Sequence, residues 1–489
     1  MKLNKKHPNI LLIIMDSARS DMFGCYGNNE NLTPNIDSLA KDSVICKNFY
    51  AAGSGSALSH VALFTGQHSV RNGVVHNLSE IKKDLPSITK ILKANSFMNF
   101  GKSQIICPPI GYDKLFKFDE LVYPQTSSLH NDKVPLKKKF LDHLRQYPQT
   151  WTFLKYIFTK TFGTRILLEQ TAKHFDGQSS LNYLYEKIKN EKNFCFAYST
   201  IFHPHTPYCP PKWAIEKIFG SKKVNELAYA IQTDFHAWLN GNYGKNKNII
   251  NDLKNLYKAE LLYGDFLIGE LIKKLKIDNK YDDTMIILTG DHGEFFGEHE
   301  QLNHGGTVYN EVLKVPCIIK FPDKIKKKHI IEKLTSHYDL FPTIMKYLNI
   351  DISDLQLDGQ DIFLKDEERF LVIDSPPLVL PARLSHYPKV VKEQSFFWRC
   401  LINKNYKYVW KSDETKYLFK RDQYENESNN LIQDMFLESE IMHKQMIDYY
   451  RKIDKNFSIN VYPINIGKTA AKFITSPRII RELKKEGYL

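Results

Sequence analysis

Four short apolar runs stand out along the chain, each bounded by polar or turn-forming residues: Ile10–Met15, Phe194–Ser199, Met285–Thr289 and Pro316–Lys320. Runs of this length without polar alternation predict strands buried on both faces. Between them, Ser87–Ala94, Asp252–Lys274 and Leu340–Leu348 carry apolar residues at helical spacing. Strands alternating with helices predict an α/β fold: a large, mainly parallel sheet sandwiched by helices. Ligands gather at the carboxyl ends of the strands in such sheets. The residues that follow each run are therefore where chemistry is expected.

The pattern changes twice. From about Leu129 to Glu191 the chain is helix-rich and poor in chemically distinctive residues, which predicts a helical insertion over the sheet. Beyond residue 370, Trp398–Leu401 and Tyr406–Trp410 read as strands joined by an Asn403-Lys404-Asn405 turn. We read 1–370 as the main domain and 371–489 as a smaller α+β subdomain.

Asp16 directly follows the first run, and Asp291 and His292 follow the third after a single Gly290. Two carboxylates and an imidazole converging at strand ends can hold a divalent cation. Mixed oxygen and nitrogen ligation suits manganese or zinc better than calcium, which prefers oxygen alone. Taken singly, Asp16 and Asp291 serve equally well as helix caps. A further stretch, Gly53-Ser54-Gly55-Ser56 running to Gly66, places Ser56 at a helix start. Backbone N–H groups and the helix dipole favour an anion there, and a nearby metal would make the hydroxyl a nucleophile. An ordinary serine N-cap is the alternative for this segment alone.

Composition narrows the reading. The 489 residues are 42% hydrophobic and 25% charged, ordinary for a folded protein. Lys and Arg number 68 against 55 acidic residues, a formal charge of +13. The basic residues are scattered and no nucleic-acid-binding signature accompanies them, so a lysine-rich surface is expected and nucleic acid is not. The positive field favours an anionic substrate. Seven dispersed cysteines without a C-x-x-C pair predict reduced thiols and a cytoplasmic location. Lys2, Lys5 and Lys6 before Ile10–Met15 imitate a signal peptide, but the run ends at Asp16 with no small-residue cleavage site, so it is read as a strand. No stretch reaches transmembrane length. Phe153–Leu168 is aromatic and basic; a helix packed on the domain is expected, with peripheral membrane contact as the alternative.

The ordered motifs resemble the sulfatase family of the alkaline phosphatase superfamily. The opening Pro8-Asn9-Ile10 through Asp16-Ser17-Ala18-Arg19-Ser20-Asp21, with Gly24-Cys25-Tyr26-Gly27 and Thr33-Pro34-Asn35-Ile36-Asp37, is similar to the family's start. Asp291-His292-Gly293-Glu294, Gly297-Glu298-His299, His304 and Val315-Pro316 resemble its second metal block. Asp339-Leu340-Phe341-Pro342-Thr343, Asp358-Gly359, Tyr417-Leu418-Phe419 with Asn429-Asn430-Leu431, and the terminal Leu483–Leu489 resemble later landmarks. The resemblance implies that Asp16, Ser56, Asp291 and His292 bind one metal, with Ser56 as nucleophile. It implies that His304 contacts the ester oxygens and that His205 protonates the leaving group. Lys102 is expected to bind substrate, although Gln104 stands where the family has histidine.

The chain also departs from that pattern. The family's signal for conversion to formylglycine is Cys or Ser followed by x-Pro-x-Arg, and here it reads Ser56-Ala57-Leu58-Ser59-His60. His60 takes the arginine's place and is expected to contact substrate. Ser17 replaces the second aspartate of the usual pair, which again points away from calcium. An unmodified serine forms a phosphoserine that water can hydrolyse, whereas a sulfated serine is harder to release. We therefore expect a metal-dependent hydrolase of sulfate or phosphate esters, with the phosphoester (a phosphodiesterase or phosphomonoesterase) slightly favoured, acting on a saccharide or a lipid headgroup. The alternatives are a formylglycine-type sulfuric ester hydrolase, a phospho-group transferase and a non-catalytic binding relative.

Overall fold

Strand β1 (Asn9–Met15) is apolar at nearly every position because both of its faces are covered. Ile10, Leu12 and Ile14 point into one core, with Phe196, Tyr198 and Ile287, and Leu11, Ile13 and Met15 point into another, with Ala197, Ile286 and Leu288. In the computed structural model of the protein, the described residues are 7–104 (except 77, 78, 80 and 83), 116–122, 176–228 (except 226 and 227), 246–322, 329–377, 396–421 and 427–459 (except 456 and 458). The other strands of the main sheet are β2 (Val44–Tyr50), β3 (Met98–Ser103), β4 (Glu120–Val122), β5 (Cys195–Ile201), β6 (Thr284–Gly290), β9 (Cys317–Lys320) and β10 (His329–Ser336). A small ribbon, β7 (Phe295–Phe296) with β8 (Leu302–Asn303), follows β6.

The sheet order is β10-β2-β9-β6-β1-β5-β3-β4. β1 lies parallel between β5 and β6. The expected parallel sheet is present with one exception: β9 runs antiparallel to both β2 and β6. Helices Ser56–Thr65 and Leu340–Tyr347 cover one face, and helices Pro34–Ala40, Gly177–Asn190 and Lys247–Ile277 the other. Of the expected insertion, 129–175 lies outside the described residues, as do Phe153–Leu168, Cys107 and the terminal Leu483–Leu489. Its last part is the helix Gly177–Asn190, which buries Leu181, Leu184 and Ile188 against the sheet and so forms part of the layer itself. No described helix is long and apolar enough to cross a membrane.

A second, antiparallel sheet has the order β11-β12-β13-β14, from Leu371–Ser375, Trp398–Ile402, Tyr406–Lys411 and Lys416–Lys420. Alternation explains its two faces. Ile373, Trp398 and Cys400 join the core beneath helix Ser56–Thr65, while Val372, Leu401 and Tyr408 pack on Met442, Met446 and Tyr450 of helix Phe436–Ile453. Trp398 and Trp410 are both buried.

Helix Ser56–Thr65 is clamped from its far end. Gly66 closes it in the left-handed conformation, φ +67°, which a side chain would strain. The Gly66 carbonyl then accepts the amides of Asp358 and Gly359. The Asp358 carboxylate takes two bonds from Arg71, each 2.9 Å, and one from the His68 amide. Gly359 lies so close to Tyr338 that a Cβ would meet the Tyr338 carbonyl oxygen at 1.8 Å. Gly359→Ala therefore forces backbone apart, and an overpacking cost of about 1–3 kcal/mol is expected. Thermal unfolding should show a Tm several degrees below wild type; an unchanged Tm would show that this contact relaxes freely.

Candidate active site

Register brings the ligand-type residues together. Met15 on β1 pairs with Gly290 on β6, so the residues that follow, Asp16 and Asp291, leave the sheet side by side. One carboxylate oxygen from each and a ring nitrogen of His292 all lie within 4.8 Å of one another, and all three residues are buried. His292 Nε2 is 3.6 Å from Asp16 Oδ1 and 3.6 Å from Asp291 Oδ2. The His292 ring is oriented by Nδ1–H, which donates to the Gly293 carbonyl at 3.0 Å and leaves Nε2 turned inward. Ser17 adopts φ +63°, a sparsely populated conformation for serine, and its amide thereby donates to Asp291 Oδ1 at 3.1 Å.

Ser56 joins this group from the opposite layer. Gly55 is extended and Ser56 opens the helix, with Oγ 3.2 Å from His292 Nε2. One turn on, Ser59 Oγ donates to the Asp291 carbonyl at 2.6 Å, which ties the helix to the end of β6. Gly53 has no room for a side chain, because a Cβ would sit 2.6 Å from Leu58 Cδ2. His304 stacks on His292 with ring centroids 4.2 Å apart, and His205 faces His304 at 4.9 Å. Three imidazoles thus form a row leading away from the acidic pair.

Two expected substrate contacts, His60 and Lys102, are bonded to protein groups. His60 is fully buried, with Nδ1–H on the Ser56 carbonyl at 2.6 Å and Nε2 against Thr200 Oγ1 at 3.2 Å. Both ring nitrogens are engaged by protein groups, so His60 braces the helix. Lys102 Nζ donates to Ser179 Oγ at 2.6 Å and makes no hydrogen bond or ion pair with the cluster among the described residues. Gln104, in the position of the absent histidine, accepts the Phe202 amide at 2.7 Å.

Two further residues belong to the site although sequence reasoning gave them no role. Glu294 is fully buried, with its carboxylate oxygens 3.3 and 3.4 Å from His304 Nδ1. It lies within the Asp291-His292-Gly293-Glu294 motif. His337 is fully buried; its Nε2–H donates to the Gly290 carbonyl at 2.7 Å and its Nδ1 accepts the Ala52 amide at 3.2 Å. It joins the segment before Ser56 to the segment before Asp291.

The electrostatics are those of a crowded acidic pocket. Burial, reinforced by Asp291, holds the Asp16 carboxyl well above the usual carboxylate range. Burial also works against ionised Asp291, but His292 and His60 outweigh it and its pKa falls. Burial opposes charge on His292 too, yet Asp291 and Asp16 prevail and raise it. Burial pushes Glu294 up to about 7. His304 is pressed well down by burial and then by His292 and His205, and His205 is lowered chiefly by burial. A divalent cation suits this donor set. Asp291 Oδ2 is buried without a hydrogen bond, and His292 Nε2 is aimed inward. The second carboxylate ionises readily only if more positive charge arrives.

A sequence model of the family described as Sulfatase matches residues 8–350. The chain is 24% identical to an N-acetylglucosamine-6-O-sulfatase of Bacteroides thetaiotaomicron, over 73% of this chain and 70% of that one. It is also 24% identical to an arylsulfatase of Clostridium perfringens, over 91% and 93% of the two chains. The crystal structure of a phosphonate monoester hydrolase of Agrobacterium radiobacter superposes with a TM-score of 0.67 at 18% identity, over 91% of this chain and 96% of that one.

In chelated protein the raised pKa of Asp16 means that its ionised form costs stability at neutral pH. Asp16→Asn should accordingly leave the metal-free Tm equal to or above that of wild type. Added manganese should raise the Tm of wild type and not that of the variant, because binding to the folded state alone stabilises it. Equal gains in both would remove Asp16 from the ligand set. Glu294 supplies a pH test. Between its ordinary 4.5 and about 7 the folded state keeps a proton that the unfolded chain has lost. Metal-free stability should therefore decline as pH rises through that window, by on the order of 3 kcal/mol. Glu294→Gln should flatten that part of a chemical-denaturation profile, and an unaltered slope would contradict the assignment.

Proposed function

This chain is a member of the sulfatase family of ester hydrolases, and from that premise we propose that it hydrolyses a phosphate ester of a saccharide with unmodified Ser56 as nucleophile. The observation that carries the reading is the placement of Ser56 Oγ, at a helix start and 3.2 Å from His292 Nε2 beside the acidic pair. Leu58 and His60, which stand where the modification signal needs proline and arginine, are buried and built into the core. Asp16, Ser56, Asp291 and His292 would hold one divalent ion, manganese or zinc in preference to calcium because an imidazole is among the donors. Such an ion lowers the pKa of a bound hydroxyl and draws charge from the ester oxygens.

The side chains divide the remaining work. Ionised Ser56 Oγ attacks phosphorus, the bond to the leaving oxygen breaks, and His205 in its imidazolium form gives that oxygen the proton from Nε2. His205 Nδ1–H is held by the Thr206 carbonyl, which leaves Nε2 for this exchange. His304, braced by Glu294, binds the ester's equatorial oxygens. Water then attacks the phosphoserine and gives its proton to the now neutral His205 Nε2, which releases the Ser56 oxygen and returns both residues to their starting forms. The saccharide is suggested by the N-acetylglucosamine named for one relative.

The sulfatase names of the relatives favour a second reading, in which position 56 carries an aldehyde and the substrate is a sulfate ester. One experiment separates the two. The mass of the peptide carrying Ser56 is measured, and turnover is screened on aryl sulfate, phosphate monoester and phosphodiester with manganese, zinc or calcium. We expect an unmodified mass, turnover of a phosphate ester, and a loss of about 10³-fold or more in Ser56→Ala with the fold intact. An aldehyde mass with sulfate turnover would establish the second reading. Full activity in Ser56→Ala would remove the residue from the mechanism.

A further inference from the structure

The loop 202–209 leaves the end of β5 and carries His205 to the row of imidazoles. His205 does little to anchor itself, because its Nδ1–H bonds the adjacent Thr206 carbonyl and travels with the loop. Gln104 takes the Phe202 amide at the start of the loop, and one carboxylate from outside binds it on both sides of His205. Glu260, midway along helix Lys247–Ile277, is 2% exposed. Its Oε2 accepts His203 Nδ1–H at 2.5 Å, and its Oε1 accepts the Cys209 amide. The two bonds bracket His205 in sequence. His203 has no alternative position: its ring stands 4.9 Å from that of Tyr263 on the same helix, and a Cβ on Gly177 would meet its Cδ2 at 2.9 Å. A buried carboxylate is strongly disfavoured unless its oxygens are bonded, and both of these bonds go to the loop.

We propose that Glu260 is a positioning residue: by fixing both ends of loop 202–209 it sets the distance from His205 to the leaving-group oxygen. The inference rests on the assignment of His205 as proton donor made above. A displacement of about 1 Å in a catalytic group costs on the order of 10²-fold in rate. That loss is selective, because an acidic phenol departs without a proton whereas a weakly acidic alcohol does not.

The test compares wild type, His205→Ala, Glu260→Ala and the double variant on aryl esters whose leaving groups span a range of acidity. Glu260→Ala should lose about 10²-fold in kcat on the poorest leaving group and less than about threefold on the best. The double variant should lose no more than His205→Ala, the mark of two residues acting through one step. Glu260→Gln keeps an acceptor for the Cys209 amide, and its NH2 can donate to His203 Nδ1 once that ring carries its proton on Nε2, so it should restore most of the rate; it also carries the comparison if Glu260→Ala does not fold. A uniform loss across the series, or additive losses in the double variant, overturns the positioning role. Amide hydrogen exchange reads the same contact without turnover. Exchange at His203, His205, Thr206, Tyr208 and Cys209 should quicken in the Glu260 variants while the amides of β1 and β5 stay protected. Unchanged exchange in the loop sinks the proposal whatever the kinetics show. Faster exchange without any leaving-group dependence in His205→Ala sinks the proton-donor assignment, and with it the kinetic part of the inference.

Discussion

Two carboxylates are forced out of water side by side, and much of the molecule is arranged around that fact. The register of β1 against β6 leaves Asp16 and Asp291 no other place. Two like charges about 4 Å apart repel by roughly 4 kcal/mol at an effective dielectric of about 20. That is a large fraction of the stability of an ordinary domain, about 5–15 kcal/mol. The surroundings answer with positive charge and donors. His292 sits against both carboxylates, the Ser17 amide is turned onto Asp291 through a left-handed residue, and the start of helix Ser56–Thr65 faces the same point. Those donors offset part of the repulsion, and the remainder makes the pocket receptive to a cation.

Hydrogen bonding sorts the buried histidines into two kinds. His60 and His337 spend both ring nitrogens on protein groups, and burial lowers the pKa of each. Neutral imidazole suits them, since each needs one donor and one acceptor to join two segments. His292, His304 and His205 each commit Nδ1 to a neighbour and keep Nε2 for the pocket. Residue type and position in the chain do not distinguish the two kinds; the partners do.

This is also where the sequence stopped being readable. The runs at β1, β5, β6 and β9 were legible because strands covered on both faces cannot hide their hydrophobicity. The strands β2, β3 and β10 mix Lys47 and Asn48, Asn99 and Lys102, and Glu332 and Lys333 into their runs, and they escaped notice. The direction of β9 was not readable either, since burial leaves an apolar mark and strand polarity does not. Placement after strands pointed to Asp16, Asp291 and His292, and family resemblance to His205 and His304. Neither could say that the His60 ring turns back along its own helix, or that Lys102 reaches Ser179. The role of His337 exists only once distant segments meet.

The segment leading to Ser56 is held by residues synthesised far later than itself. Gly53 bridges to Asp374 at the edge of the second sheet, and Ser54 and Ser375 share a hydrogen bond across 321 residues. Asp374 is itself locked by Ser69 and by Tyr450 of helix Phe436–Ile453. During synthesis, then, β1 and the Ser56 helix leave the ribosome long before the strand that fixes their geometry. The nascent polypeptide can bury much of its first core while Ser56 is still unsupported. Closure of the reactive centre waits for that strand, so a ribosome that stalls before it releases a chain without a finished centre.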